Sequence, residues 1–299
     1  MPKKELKNIY ILVFVLLFII SFSFAFPITV KDDMGRSITI NTPPTRIISL
    51  APSATEILFA INAQEKIVGV TDYCNFPKEA QRKEKVGGFS NPNIEKIISL
   101  NPDLIILYES FPKEIFNQLE KSLPQTNFLV LDPKNFEDVL ENILLVGKVI
   151  GKEKEARAVH NDMLRRWGNI QKKALQVKKL PKVLFLLWND PFTSASPNTF
   201  LGDLLRKVRA KNIVEKNEPE YPVLSVEYIL EKNPDVILIG ETSGISKESI
   251  LNHPMLKQTN AVKNKMVYTI NDDLVFRPGP RLIEGMERLF ELLYPEIPL

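Results

Sequence analysis

The feature that most constrains this chain is a repeat. Residues 93–107 read NIEKIISLNPDLIIL, and residues 225–239 read SVEYILEKNPDVILI. Glu95 aligns with Glu227, Ile97 with Ile229, and Asn101-Pro102-Asp103 with Asn233-Pro234-Asp235, always at an offset of 132 positions. Each copy reads as a helix, a turn that proline forces out of the helix, and a continuous apolar strand. One such unit in each half implies two lobes of the same build, and one long period is not the 20–50-residue period of a solenoid.

The segments around the repeat alternate in the same way. ITV and SITI flank Asp32-Asp33-Met34-Gly35-Arg36 as a hairpin. RIISL (46–50), IVGV (67–70), LIIL (104–107) and FLVL (128–131) read as strands. Helices are expected at ATEILFAI, 93–100, 112–123 and 136–150, the first with Ser53 as N-cap and Glu56 closing a capping box. KVLFLL (182–187), VILI (236–239) and MVYTI (266–270) are strands of the second half, and PRLIEGMERLFELL (280–293) is a closing helix with proline in its first turn. Strands alternating with helices specify an α/β fold with mainly parallel sheets, and their apolar runs require cover on both faces. Residues 152–178 are charged and free of proline, as in one long helix joining the halves. The organisation is therefore a lobe at 27–151, a connecting helix at 152–178 and a lobe at 179–299, two Rossmann-like lobes on one helical backbone.

Residues 1–25 read as a signal peptide. Lys3, Lys4 and Lys7 precede an apolar run from Ile9 to Ile20, and Ser23 and Ala25 supply small residues for cleavage after Ala25. An uncleaved anchor is the alternative, because Phe22 and Phe24 extend the run. Without these residues the balance of basic to acidic side chains is 36 to 35. No basic field argues for nucleic acid.

One cysteine, Cys74, excludes an internal disulfide or a cysteine-cluster metal site, and two histidines, His160 and His253, leave little for a histidine-rich one. HExxH, GxSxG, GxGxxG and P-loop motifs are absent. Gly147-Lys148-Val149-Ile150-Gly151-Lys152 ends a helix rather than opening one after a strand. Asp32-Asp33 and Asp272-Asp273 lie in turn-like sequence. No catalytic or metal-binding residues and no cofactor are expected.

Aromatic residues follow the strand ends instead: Tyr73, Phe76, Phe89 and Tyr108 in the first half, Trp188, Phe192, Tyr221 and Phe276 in the second. Ligands of parallel α/β sheets bind beyond the carboxyl ends of strands, so a cleft between lobes would hold a large, partly flat ligand with polar edges. Glu95 and Glu227, one at each helix start, form a matched pair of exposed anions suited to a two-fold partner.

The run RIISLAPSATEILFAI, IVGVTDYCNFPKEA and KVGGFSNPNIEKIISLNPDLIIL, with FRPGPRLIEGMERL near the end, resembles the substrate-binding proteins of ABC importers for cobalamin, iron-siderophores and haem. SATEILFA, VGVTDY and PFTS (191–194) are most similar to the cobalamin-binding branch. The resemblance implies a monomer with two α/β lobes on one long helix, exported to the periplasm and holding a corrinoid between the lobes, with no enzymatic activity. It implies ligand contacts at Tyr73, Phe89, Tyr108, Phe192 and Tyr221, polar pocket positions at Asp273 and Arg277, and docking of Glu95 and Glu227 onto arginines of the permease dimer in the inner membrane. Trp188 joins the ligand-contact set from its place at a strand end. An iron-siderophore or haem is the alternative ligand within the same class.

Overall fold

A computed structural model describes residues 26–299; residues 1–25, on which the signal-peptide reading falls, lie outside the described residues. A two-stranded antiparallel hairpin, β1 (Ile28–Lys31) and β2 (Ser37–Ile40), opens the fold. Its turn is closed by Asp32, whose carboxylate accepts from the backbone N–H groups of Met34 and Arg36.

The first lobe contains β3 (Ile47–Ser49), α1 (Pro52–Ala60), β4 (Ile67–Val70), α2 (Ile94–Ser99), β5 (Leu104–Tyr108), α3 (Lys113–Ser122), β6 (Asn127–Leu131) and α4 (Phe136–Ile150). Its strands form a parallel sheet in the order β4-β3-β5-β6. Gly151, in the left-handed region, ends α4, and α5 (Glu153–Ala174) follows directly. This helix rises about 33 Å. It lies inside the expected connector, with residues 175–178 continuing beyond it.

The second lobe contains β7 (Lys182–Leu186), α6 (Phe200–Lys207), β8 (Lys211–Asn212), α7 (Val226–Lys232), β9 (Val236–Gly240), α8 (Lys247–Leu251), α9 (Asn260–Lys263), β10 (Val267–Ile270), α10 (Asp273–Phe276) and α11 (Leu282–Leu293). Its parallel sheet has the order β10-β9-β7-β8. Numbered within each lobe, both sheets follow 2-1-3-4. The repeated strands β5 and β9 are the third strand of each, so the sequence repeat marks a repeated topology.

Alternation along each strand divides the core. Ile47, Leu104, Ile106, Leu129 and Leu131 of the first sheet and Val183, Phe185, Val236 and Leu238 of the second all point into one continuous cluster that includes residues of α4, α5 and α11. The opposite faces feed separate clusters, with Ile48, Ile105 and Val130 in the first lobe and Leu184, Ile237 and Ile239 in the second. The two lobes therefore share one core while each keeps its own outer layer. No helix among the described residues is long and apolar enough to cross a membrane.

The Asn-Pro-Asp tripeptide works identically in both lobes. Asn101 (φ 45°) and Asn233 (φ 46°) take the left-handed conformation after their helices, which asparagine tolerates better than most residues. Asp103 N–H donates to Arg46 O (2.9 Å), and Arg46 N–H donates back to the Asp103 carboxylate (2.9 Å). Asp235 N–H donates to Lys182 O (2.8 Å), and Lys182 N–H donates back to the Asp235 carboxylate (3.0 Å). The Arg46 and Lys182 side chains then reach the helix ends, to Leu100 O and Lys232 O respectively. Each clasp sets the first strand against the third and satisfies a helix carbonyl with a cation.

Two expectations change at helix starts. The capping box is not formed: Ala51 is the N-cap of α1 without a side-chain bond, and Pro52 occupies the first helical position, where its missing N–H costs nothing. Ser53 and Glu56 are thereby free to bond residues distant in sequence. The closing helix begins at Leu282 rather than at Pro280, with Arg281 as its N-cap.

Asp103→Ala removes the acceptor of Thr45 N–H, the Thr45 hydroxyl and Arg46 N–H. It should cost about 2 kcal/mol in urea unfolding. Burial alone would raise the Asp235 pKa, but the bonds from Lys182 and Asn260 with the nearby lysines outweigh it and hold the carboxyl below its ordinary value. A depressed folded pKa means the unfolded chain binds the proton first. The stabilisation is therefore whole above about pH 4 and is lost as pH falls through the folded value. Asp235→Asn should be less stable at neutral pH and lose less stability on acidification than the parent chain, as read by urea midpoints across pH 2–6.

Candidate functional site

In each lobe the strand order reverses between the first and third strands, opening a crevice at their carboxyl ends. In the first lobe this point lies between β3 and β5, where Ser53 and Tyr108 emerge. A cavity of about 420 Å³ occupies the space between the lobes. Ser53, Phe89 and Tyr108 line it from one side, and Phe200, Tyr221 and Arg277 from the other.

Tyr108 ends β5 and reaches across the cleft. Its hydroxyl accepts from the Ser53 hydroxyl (2.7 Å) and donates to Pro278 O in the other lobe (3.4 Å). Burial pushes its phenol pKa well up, so it is a neutral hydrogen-bonding group. Phe89 sits edge-on against Phe111 at 5.7 Å between centroids. Gly87 makes that placement possible: its φ is +92°, and a Cβ there would lie 2.9 Å from Asn91 O and Asn93 N. Tyr221 is 55% exposed at the rim. Burial of its hydroxyl and the nearby Glu220 also raise its pKa.

Behind the cleft an ionic network joins the lobes, and only Arg277 of it lines the cavity. Glu56, on α1 and 3% exposed, accepts two bonds from Arg281: Nε to Oε2 at 2.9 Å and Nη2 to Oε1 at 2.7 Å. Arg277 Nη1 donates to Glu56 Oε1 (3.2 Å) and to Asn75 Oδ1 (2.7 Å). Arg277 Nη2 approaches Tyr73 O at 3.5 Å, and Arg277 Nε pairs with Asp273 at 2.9 Å. The Arg281 guanidinium lies 3.8 Å from the centre of the Phe76 ring. A second ionic tie joins the lobes elsewhere: Lys207 on α6 pairs with Glu137 on α4 (2.5 Å), and Asp203 accepts from Phe136 N–H at the start of α4 (3.4 Å).

The expected contact residues divide into three groups. Phe89, Tyr108, Tyr221 and Arg277 meet around the cavity, with Asp273 behind Arg277. Tyr73 and Trp188, 62% and 57% exposed, lie outside its lining. Phe192 also lies outside it, packed on the second lobe's outer core and against His253 at 6.2 Å. Two contributors are not expected from sequence: Glu56 reads there as the end of a capping box, and Phe200 begins α6 without a strand-end signal.

Glu95 and Glu227 occupy the first turns of α2 and α7, capped by Asn93 and Ser225. Both are exposed, and neither forms an ion pair among the described residues. Each helix precedes a parallel strand and runs opposite to it, so its N-terminus lies at the carboxyl edge of the sheet. One free carboxylate thus stands on each lobe at the edge where the cleft opens. No group of three histidine, cysteine or acidic side chains among the described residues is arranged to hold a metal ion. His253 instead uses Nδ1 to accept from the N–H groups of Met255 and Leu256. Cys74 is buried against the Thr55 and Thr71 hydroxyls.

Three known proteins share this construction. The substrate-binding lipoprotein YvrC of an ABC transporter in Bacillus subtilis is 36% identical over 277 residues, 91% of this chain and 87% of that one. The crystal structure of the periplasmic vitamin B12 binding protein BtuF of Vibrio cholerae superposes with a TM-score of 0.73 at 27% identity, covering 85% of this chain and 98% of its own. The periplasmic heme-binding protein RhuT from Roseiflexus sp. RS-1 gives 0.75 at 25% identity, with 84% and 98% covered. The family model described as periplasmic binding protein matches residues 47–274, which include both sheets and the helix between them. A match of that extent, joined to a common fold, establishes that the chain belongs to the periplasmic binding protein family, whose members are binding components of transport rather than enzymes.

Proposed function

We propose that this protein captures a corrinoid between its lobes in the periplasm and delivers it to the permease of an ABC importer. The observation that carries the ligand class is the chemistry of the cleft: aromatic walls, neutral tyrosines, and an arginine whose charge is already cancelled. Haem would draw an axial ligand from the protein, and an anionic tyrosine is the usual substitute where histidine is absent. The Tyr108 hydroxyl is already engaged, accepting from Ser53 and donating to Pro278 O. Neither histidine lines the cavity.

A ferric siderophore or haem brings negative charge and favours unpaired cations. Here Arg277 is matched by Glu56 and Asp273, and Arg281 by Glu56. A corrinoid brings its own axial ligands and an edge of amides, which need hydrogen-bonding groups and flat apolar walls. The vitamin B12 binding protein among the similar structures supports the same choice, and the heme-binding one marks the alternative to be tested.

Delivery follows from the pair of free carboxylates. A two-fold permease presents equivalent sites, and two lobes of equal build place one anion against each. The shared core and the two interlobe ties restrict the motion that delivery can use to small changes in the angle between lobes.

Calorimetric titration of residues 26–299 with cyanocobalamin should give one-to-one binding at micromolar or lower Kd, against weak binding of haem and ferric siderophores. Binding of a chelate but not of cyanocobalamin would keep the transport role and replace the ligand. Reversing both docking charges, Glu95→Lys with Glu227→Lys, should abolish transport by reconstituted importer and leave the Kd within about twofold. A comparable loss of affinity would place these residues in the ligand site.

A further inference from the structure

Four charges meet beneath the cleft and cancel: Glu56 and Asp273 against Arg277 and Arg281. They do not share one position. Arg277 lines the cleft. Glu56 and Arg281 lie behind it, lining a separate groove of about 860 Å³ bounded by α1, α5 and α11. The carboxylate that neutralises the cleft's guanidinium is thus buried where a ligand between the lobes does not reach it.

The arrangement of donors makes Glu56 more than a tie between lobes. Arg277 has five N–H donors. Nε lies 2.9 Å from the Asp273 carboxylate as an ion pair, Nη1 donates to Glu56 and Asn75, and Nη2 donates to Tyr73 O at long range. One Nη2 hydrogen remains without an acceptor among the described residues. Arg277 therefore lines the cleft as a donor group whose charge is balanced by Glu56 and Asp273. Glu56 is kept in place by the two-bond grip of Arg281, itself stacked on Phe76. Charges this deeply placed are screened little by salt, so the balance beneath the cleft is felt inside it.

We propose that Glu56 is a specificity-determining residue that never touches the ligand: by cancelling the charge of Arg277 it makes the cleft prefer a ligand with a neutral polar edge over an anionic one of the same shape. The proposal rests on the reading of the cleft as the ligand site and adds to it the residue that sets the charge class.

The test is a charge series on the full chain. Relative to the parent network, Glu56→Gln adds one positive charge, Arg281→Gln removes one, and the double variant restores neutrality. Two corrinoids of the same ring supply the probe: dicyanocobinamide, whose edge carries amides, and dicyanocobyrinic acid, whose edge carries carboxylates. The quantity read is the ratio of their Kd values, acid over amide, with haem as a third, anionic ligand. Glu56→Gln should lower the ratio about tenfold and Arg281→Gln should raise it, as expected for one charge at close range in a partly buried site. The double variant should return within about twofold of the parent. A purely structural tie predicts the reverse, because the double variant loses the whole Glu56–Arg281 contact and should depart furthest. Unchanged ratios in both single variants, or a double variant outside the span of the singles, would overturn the proposal. Thermal melts report folding, and if Glu56→Gln fails to fold, the rise with Arg281→Gln decides alone. Should no protein of the series bind either corrinoid, the corrinoid reading falls while haem decides the charge effect: binding tightest in Glu56→Gln and weakest in Arg281→Gln supports it, and any other order overturns it. Absence of all binding overturns both.

Discussion

The cleft depends on one buried carboxylate. Glu56 leaves the first lobe on α1 and meets two arginines from the far end of the chain, Arg277 and Arg281. A lone charge at that depth would be expensive, and its position is tolerable only because both cations come with it. Removing one partner would strand the others, so the contact fixes more than its own geometry. It holds the segment between α10 and α11 over α1, where Pro278 O meets the Tyr108 hydroxyl. This segment brings Arg277 and Pro278 to the lining of the cleft.

The shared core supplies what the ionic network does not. Both sheets turn one face toward the same cluster, and α4, α5 and α11 fill the space between them. Apolar burial is strong but indifferent to direction, so a continuous core holds the lobes together without specifying their register. The directional contacts do that: Glu56 with its arginines behind the cleft, and Lys207 with Glu137 where α6 meets α4.

Much of this was legible before any coordinates. Apolar runs such as LIIL and VILI have one reading in an alternating α/β pattern, and the helix at 136–150 stops where Gly147 to Lys152 reads as a helix end. The Asn-Pro-Asp repeat identified the equivalent strands because its chemistry is local: a left-handed asparagine, a helix-stopping proline and an aspartate in reach of a neighbouring strand. Ser53 and Glu56 show where local reasoning stops. Their spacing is that of a capping box, yet Pro52 had already relieved the helix start of one unpaired N–H, and stronger partners lay elsewhere in the fold. The Glu56–Arg277 pair spans 221 residues, and a single sequence carries no signal at that separation. The same limit applies to the aromatics: following a strand end brought Tyr108 to the cavity and left Trp188 in solvent, because the direction of a loop is set by what packs beneath it.

The two halves share topology and clasp, but they contribute unequally to the site. At the corresponding strand ends, the first lobe supplies Ser53 and Tyr108, which bond each other, and the second supplies a rim and the segment from Phe276 to Pro278. Symmetry survives in the exposed glutamates at equivalent helix starts and is lost around the cavity. On the proposed function, a two-fold permease meets two like surfaces and a ligand in the cleft two different ones. A duplicated fold allows this because the two ends of each sheet are separate positions: the clasp at Asp103 and Asp235 fixes the helix ends and the strand beginnings alike in both lobes, leaving the loops beyond the strand ends free to diverge.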